Sequence, residues 1–189
     1  MRFKHCFFLA IIALIFIGCK NDYAPKPRGY FRIDLPEKKY KTYQSPDCPF
    51  YFNIPEYAIV LKDSNRLAEP CWFYIAFPAL NGQLYFTYKP LKNNLFELTE
   101  DSRNMAYKHT VKANAINETK IRGNNVNGVL YDIGGNAASN MQFYMTDSVH
   151  HFLRGSLYFF TPPESDSLEP VINFVKQDVK VLINSFQWK

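Results

Sequence analysis

From residue 168 to residue 186 the chain sets Leu168, Val171, Ile172, Val175, Val179, Leu182, Ile183 and Phe186 three and four positions apart, the spacing of one helical face. A helix with a single apolar stripe is unstable by itself in water and needs a layer to cover that stripe. Ser167 is placed as its N-cap, and Pro170 falls in its first turn, where a missing N–H costs nothing. The covering layer is announced by short runs rich in aromatic and β-branched residues at 49–54, 57–62, 71–77 and 82–88, then at 115–122, 127–133, 140–147 and 151–161. These are strand signals. Asn81-Gly82 has the composition of a type I′ hairpin turn, and the strongly apolar HFLRGSLYFFT at 151–161 is expected at the centre of the sheet.

Between the two groups of strands, Leu95, Leu98, Met105 and Ala106 share a face while Glu97, Glu100, Asp101, Arg103 and Lys108 lie largely elsewhere, which predicts a helix over 94–109. Asn93 or Asn94 is available as N-cap, and Lys108 and His109 stand near the end, as the helix dipole favours. Strands, a helix, more strands and a closing helix predict an α+β fold, a largely antiparallel sheet with two main helices packed on it. As an analogy of element order alone, this resembles the Mog1/PsbP-like sandwich, which does not by itself assign a function.

The first nineteen residues, MRFKHCFFLAIIALIFIGC, read as a cationic start, an uncharged apolar run and a small residue before cysteine. That is the form of a secretory signal peptide over 1–18. A spanning helix needs about 20 apolar residues, and Lys20, Asn21 and Asp22 follow the cysteine directly. Gly18-Cys19 resembles a bacterial lipobox, which makes Cys19 the expected lipidation site; Phe16 departs from the leucine usual three positions earlier. An ordinary signal peptide cleaved nearby is the alternative. Lys20 behind the cysteine resembles the pattern that does not retain a lipoprotein at the inner membrane, so the expectation is a periplasm-facing protein with the outer membrane favoured. Residues 19–43 hold Pro25, Pro27 and Pro36 and read as an extended tether whose aromatics could dock as an edge segment. Residues 44–189 are then one domain. Removing Arg2 and Lys4 with the leader lowers the net charge from +5 to +3, which gives no pull toward nucleic acid.

In an oxidising compartment Cys48 and Cys71 are the only pair left for a disulfide, with two buried free thiols as the alternative. Asp147, Ser148 and His151 supply the residue types of a hydrolytic triad within five positions, but neighbours on a strand alternate faces rather than converge. His109, His150, His151 and Asp147 lack any metal-ligand spacing. Glu100-Asp101 reads as a solvated pair or as partners for Arg103. No phosphate cradle is present either, and no cofactor is expected. Asp147-Ser148-Val149 and Asp166-Ser167-Leu168 resemble the acceptor triplet of Bacteroidota O-glycosylation; a helix cap is enough to explain Ser167, while for Ser148 a strand-end turn and an acceptor are equal readings.

The blocks PKPRGYFRIDLPEKKY (25–40), CPFYFNIPEYA (48–58), CWFYIAFP (71–78), LTEDSRNMAYKHTVKANAI (98–116), GGNAASNMQFYMTDS (134–148) and HFLRGSLYFFTPPESDSLEPVINFVKQDV (151–179) together resemble the gliding motility lipoprotein GldD family of Bacteroidota. The resemblance implies a place in the envelope machinery of surface gliding, tied to type IX secretion, and no enzyme activity. A lipid-anchored scaffold or assembly factor that binds other envelope proteins is the expectation. Tyr30, Arg103, His109, Asp147, His151 and Arg154 are its candidate interaction surface. In the competing structural reading, Arg103 and Arg154 are ion-paired with Asp101 and Asp147. A periplasmic module for a small ligand or glycan is the alternative function, to be recognised by an aromatic cleft holding His151 and Arg154.

Overall fold

The computed structural model describes residues 32–162 and 165–189. Cys19 and Tyr30 lie outside them, as do the expected leader and most of the tether. Among the described residues the aromatic and β-branched runs form ten strands: β1 (Tyr40–Gln44), β2 (Phe50–Pro55), β3 (Ile59–Lys62), β4 (Phe73–Phe77), β5 (Gly82–Pro90), β6 (Ala113–Gly123), β7 (Val126–Gly135), β8 (Ser139–Thr146), β9 (His151–Phe159) and β10 (Gln187–Trp188). Two α-helices join them, α1 (Leu95–Tyr107) and α2 (Ser165–Ser185). Every strand pair is antiparallel. The fold is α+β. A three-stranded sheet runs β1-β2-β10, and a seven-stranded sheet runs β3-β4-β5-β9-β8-β7-β6 with β9 in the middle.

Period-two alternation sorts the residues of the large sheet onto two faces. One face carries Phe73 and Ile75, Leu84 and Phe86, Leu153 and Leu157, and Met141, Phe143 and Met145; these join Phe50, Phe52 and Ile54 of β2 and the Val171, Val175, Val179 and Leu182 stripe of α2 in the main core. On the other face a smaller cluster holds Ala106 of α1 with Tyr131, Ile133 and Ala137. Strand β8 is therefore covered on both sides, and seven of its eight residues are buried. Gly155 opposite Phe143 is a packing requirement, because a Cβ there would sit 2.2 Å from the Phe143 ring.

Cys48 and Cys71 form a disulfide with their Cα atoms 5.7 Å apart, tying the loop before β2 to the loop before β4 across 23 positions. A loop of that length restricts the unfolded chain by about 3 kcal/mol.

Four local expectations differ. Asn81-Gly82 does not form a two-residue type I′ turn: a 3-10 turn over Pro78–Leu80 makes the β4–β5 connection longer, and Asn81 alone takes the left-handed conformation, φ 50°. Proline at the first turn residue favours that 3-10 start. The second helix starts at Ser165, so Ser167 lies inside the first turn and Pro170 inside the helix. Pro170 there forgoes one hydrogen bond, which a helix held by its apolar stripe tolerates near its end. Asn94 occupies the N-cap position of α1 but makes no side-chain cap; its Oδ1 accepts from the Lys92 N–H instead. Finally, the compact unit begins at Ile33, and Tyr40–Gln44, mostly placed in the tether by sequence, pairs with β2 as an edge strand.

Candidate functional site

Strand β8 positions the side chain around which the polar residues of the helix-bearing face gather. Gln142 is buried, 1% exposed, and on the same face as Tyr144. Its Oε1 accepts from Arg154 Nη2 at 2.9 Å, and its Nε2 lies 2.9 Å from His109 Nε2. An amide nitrogen only donates, so His109 must accept on Nε2 and carry its proton on Nδ1. The elements that achieve this are β9, paired to β8 with Arg154 opposite Tyr144, and the 3-10 turn Lys108–Val111 that follows α1. Two of the expected site residues are thus brought together through Gln142, which sequence reasoning missed. The only signal for it was a glutamine set between Met141 and Phe143.

Burial, followed by the nearby Arg154 charge, pushes the His109 imidazole below its ordinary value. Burial likewise pushes the Arg154 guanidinium down, partly offset by Tyr158 and by Asp101. Arg154 Nε is buried with no hydrogen-bond partner. Above it opens a cavity of about 530 Å³, lined by Arg154 with Tyr85, Tyr158, Phe159, Phe160 and small residues of the β7–β8 connection. Tyr85 and Tyr158 meet edge to face with centroids 5.8 Å apart, and Tyr74 adjoins Tyr85 at 5.6 Å.

Asp147 and His151 lie elsewhere, at the β8–β9 hairpin. Asp147 Oδ1 accepts the backbone N–H groups of Val149, His150 and His151 at 3.0, 2.8 and 2.8 Å. Burial works to raise this carboxyl, but the three backbone donors hold it below its ordinary value. His151 Nδ1 meets the Tyr88 hydroxyl at 2.8 Å, and its ring stacks on Trp188 with centroids 5.1 Å apart. Burial outweighs Asp147 and lowers the His151 pKa. Ser148 occupies the left-handed region, φ 69°, and its N–H binds Thr146 Oγ1; the hairpin is a folded turn.

The two expected ion pairs are not formed. Arg103 Nε lies 3.8 Å from Glu118 of β6, with its guanidinium over Tyr107 at 4.8 Å; residues two apart on a helix do not face one another, which excludes Asp101. Asp147 is spent on the hairpin N–H groups, beyond the Tyr144–Arg154 register pair. Among the described residues no group of three His, Cys, Asp or Glu is placed to hold a metal.

Both lowered histidines titrate with a fixed sign. Unfolded histidine takes up protons near pH 6.5, before His109 and His151 do so in the folded chain. Their contribution is therefore complete above that pH and is lost as pH falls through it. Thermal melts are expected to show a lower Tm at pH 5.5 than at pH 7.5, with a smaller difference in His109→Gln. An unchanged difference in that variant would remove His109 from the effect.

Among the described residues no helix is long and apolar enough to cross a membrane. Of solved structures, the solution structure of cyanobacterial PsbP from Synechocystis sp. PCC 6803 is similar at a TM-score of 0.48 and 12% identity, over 82% of this chain and 95% of that one. No curated protein matches the chain. The family described as gliding motility lipoprotein GldD matches residues 20–188. With nearly the whole sequence covered, the chain belongs to the gliding motility lipoprotein GldD family.

Proposed function

We propose that this gliding motility lipoprotein is a non-enzymatic scaffold or assembly factor of the gliding apparatus, linked to type IX secretion. It is anchored through a lipid on Cys19, faces the periplasm from the outer membrane, and binds other envelope proteins. The observation that carries this is the half of the large sheet that, among the described residues, α1 leaves uncovered. Register places Ile59 beside Ala76, Leu61 beside Tyr74, and Tyr74 beside Tyr85 on one face, with Ile59 50% and Leu61 41% exposed. An aromatic and aliphatic surface of this kind is typical of a protein contact. The histidines support a non-catalytic role, since His109 is bonded to Gln142 and His151 to Tyr88.

Crosslinking and pull-down from membranes is the test, comparing wild type with Tyr85→Arg, a variant checked for folding by its melt. Recovery of a defined gliding or secretion component by wild type, lost in the folded variant, is the expected result. Equal recovery by both would sink the docking face, and Cys19→Ser is expected to leave the membrane fraction.

A second reading, a periplasmic module for a small ligand, is favoured by one observation. The cavity holds Arg154 among aromatic walls, although His151 packs on Trp188 outside it.

A further inference from the structure

We propose that the cavity beside Arg154 binds a small amphipathic carboxylate, one anionic head on an aromatic or aliphatic body. The proposal rests on the ligand-binding reading; Tyr85 borders both the cavity and the docking face, so the scaffold is judged by the wild-type pull-down and the site by the probes and variants below. The cavity's volume of about 530 Å³ lies within the roughly 300 to 1,000 Å³ of small-molecule sites. Its walls are aromatic at Tyr85, Tyr158 and Phe160, and Ala137 and Ala138 leave room where larger side chains would fill it. Such walls recognise a flat or flexible apolar body.

Among the described residues Arg154 is the single charged residue lining this space. One arm of its fork is engaged by the neutral Gln142 amide, Nε has no acceptor, and among the described residues no carboxylate forms an ion pair with it. Asp101 acts on it only through space. Guanidinium keeps its proton even when buried, and a desolvated charge short of partners is unfavourable until an anion reaches it. One cation in a largely apolar wall matches one negative charge. A phosphate, with about two charges and three demanding oxygens, would find too few donors. Gln142 has a positioning role, because His109 holds its amide nitrogen and so turns the oxygen toward Arg154.

The probes are naphthoate and its neutral isostere naphthamide, titrated by calorimetry against the full lipidated chain in nanodiscs with empty discs as the blank. Wild type is expected to bind naphthoate about tenfold or more tighter than naphthamide, the loss expected when a charged hydrogen-bonded group is removed. Arg154→Met is expected to bind the two alike and naphthoate about tenfold more weakly, and Ala138→Trp, which fills the cavity, to bind neither. Equal binding of the two probes by wild type would overturn the proposal, as would naphthoate binding unchanged in Arg154→Met, or no binding by a chain with an intact melt. If Arg154→Met does not fold, the probe pair on wild type and the Ala138→Trp variant still decide it. A failed pull-down with naphthoate bound removes the scaffold alone, and the reverse removes this site alone.

Discussion

Replacing Asp178 with alanine is expected to destabilise the protein by about 3 to 5 kcal/mol, the usual consequence of removing one partner from a buried charge pair. Asp178 is 1% exposed and sits on the helix face that α2 turns to the core, three residues after Val175 and four before Leu182. Lys38 Nζ donates to its Oδ1 at 2.9 Å and to the Phe174 carbonyl at 2.9 Å, and lies 4.0 Å above the Phe174 ring. Tyr40 donates to the same oxygen at 2.7 Å, and Tyr57 donates to Oδ2. Burial and the Asp178 carboxylate push the Tyr40 hydroxyl up to about 12 and raise that of Tyr57 as well. Both stay neutral donors at physiological pH. The carboxylate therefore fastens the segment ahead of β1 and the β2–β3 loop to the C-terminal helix.

Two readouts separate this latch from a general loss of stability. Asp178→Asn keeps the size and one acceptor for the tyrosines but loses the ion pair, so its cost is expected to be smaller than that of alanine. Trypsin cleavage after Lys38, measured well below the Tm, is expected to be slow in wild type and fast in Asp178→Ala. Equal cleavage in both would show that Asp178 does not hold the segment. The latch thus holds the chain ahead of β1 against α2 at Lys38 and Tyr40.

The elements that were legible share one property, a periodic signal carried within a single segment. The α2 stripe and the alternation of β8 and β9 are read from neighbours a few positions apart, and the apolar run at 151–161 did mark the central strand. What was not legible depends on residues distant in the chain. Gln142 meets His109 across 33 positions and Arg154 across 12, so its own strand does not tell which residues it bridges. Asp178 offered a signal that was passed over, an acid interrupting an apolar stripe, which burial makes costly unless partners converge on it. Strand β1, with the sequence YKTYQ, has too little apolar contrast to stand out. It forms because β2 offers it an open edge. The ion pairs of the competing reading, Arg103 with Asp101 and Arg154 with Asp147, are absent for the complementary reason, since nearness along a helix or across a turn does not put side chains on one face.

Phe52→Ala is expected to cost about 3 to 5 kcal/mol, comparable to loss of the latch but by a different route. Phe52 is fully buried and is where the two sheets and the chain end meet. Its ring lies 5.2 Å from Tyr43 of β1, 5.8 Å from Phe86 of β5, 6.3 Å from Phe73 of β4 and 6.0 Å from Phe186 beyond α2. Truncation leaves a cavity that these rings fill only by leaving their rotamers, so little of the loss is recovered by collapse. In a domain of this size the loss corresponds to a fall in Tm of about 10 °C, whereas Phe52→Leu, which keeps most of the volume, is expected to cost under about 1.5 kcal/mol. The contrast with Asp178→Ala lies in the proteolysis. Phe52→Ala leaves the Lys38 contacts with α2 in place, so cleavage after Lys38 is expected to rise only as the whole fold opens. Fast cleavage at low temperature in Phe52→Ala would mean that the core, and not Asp178, is what keeps the entering segment on the domain.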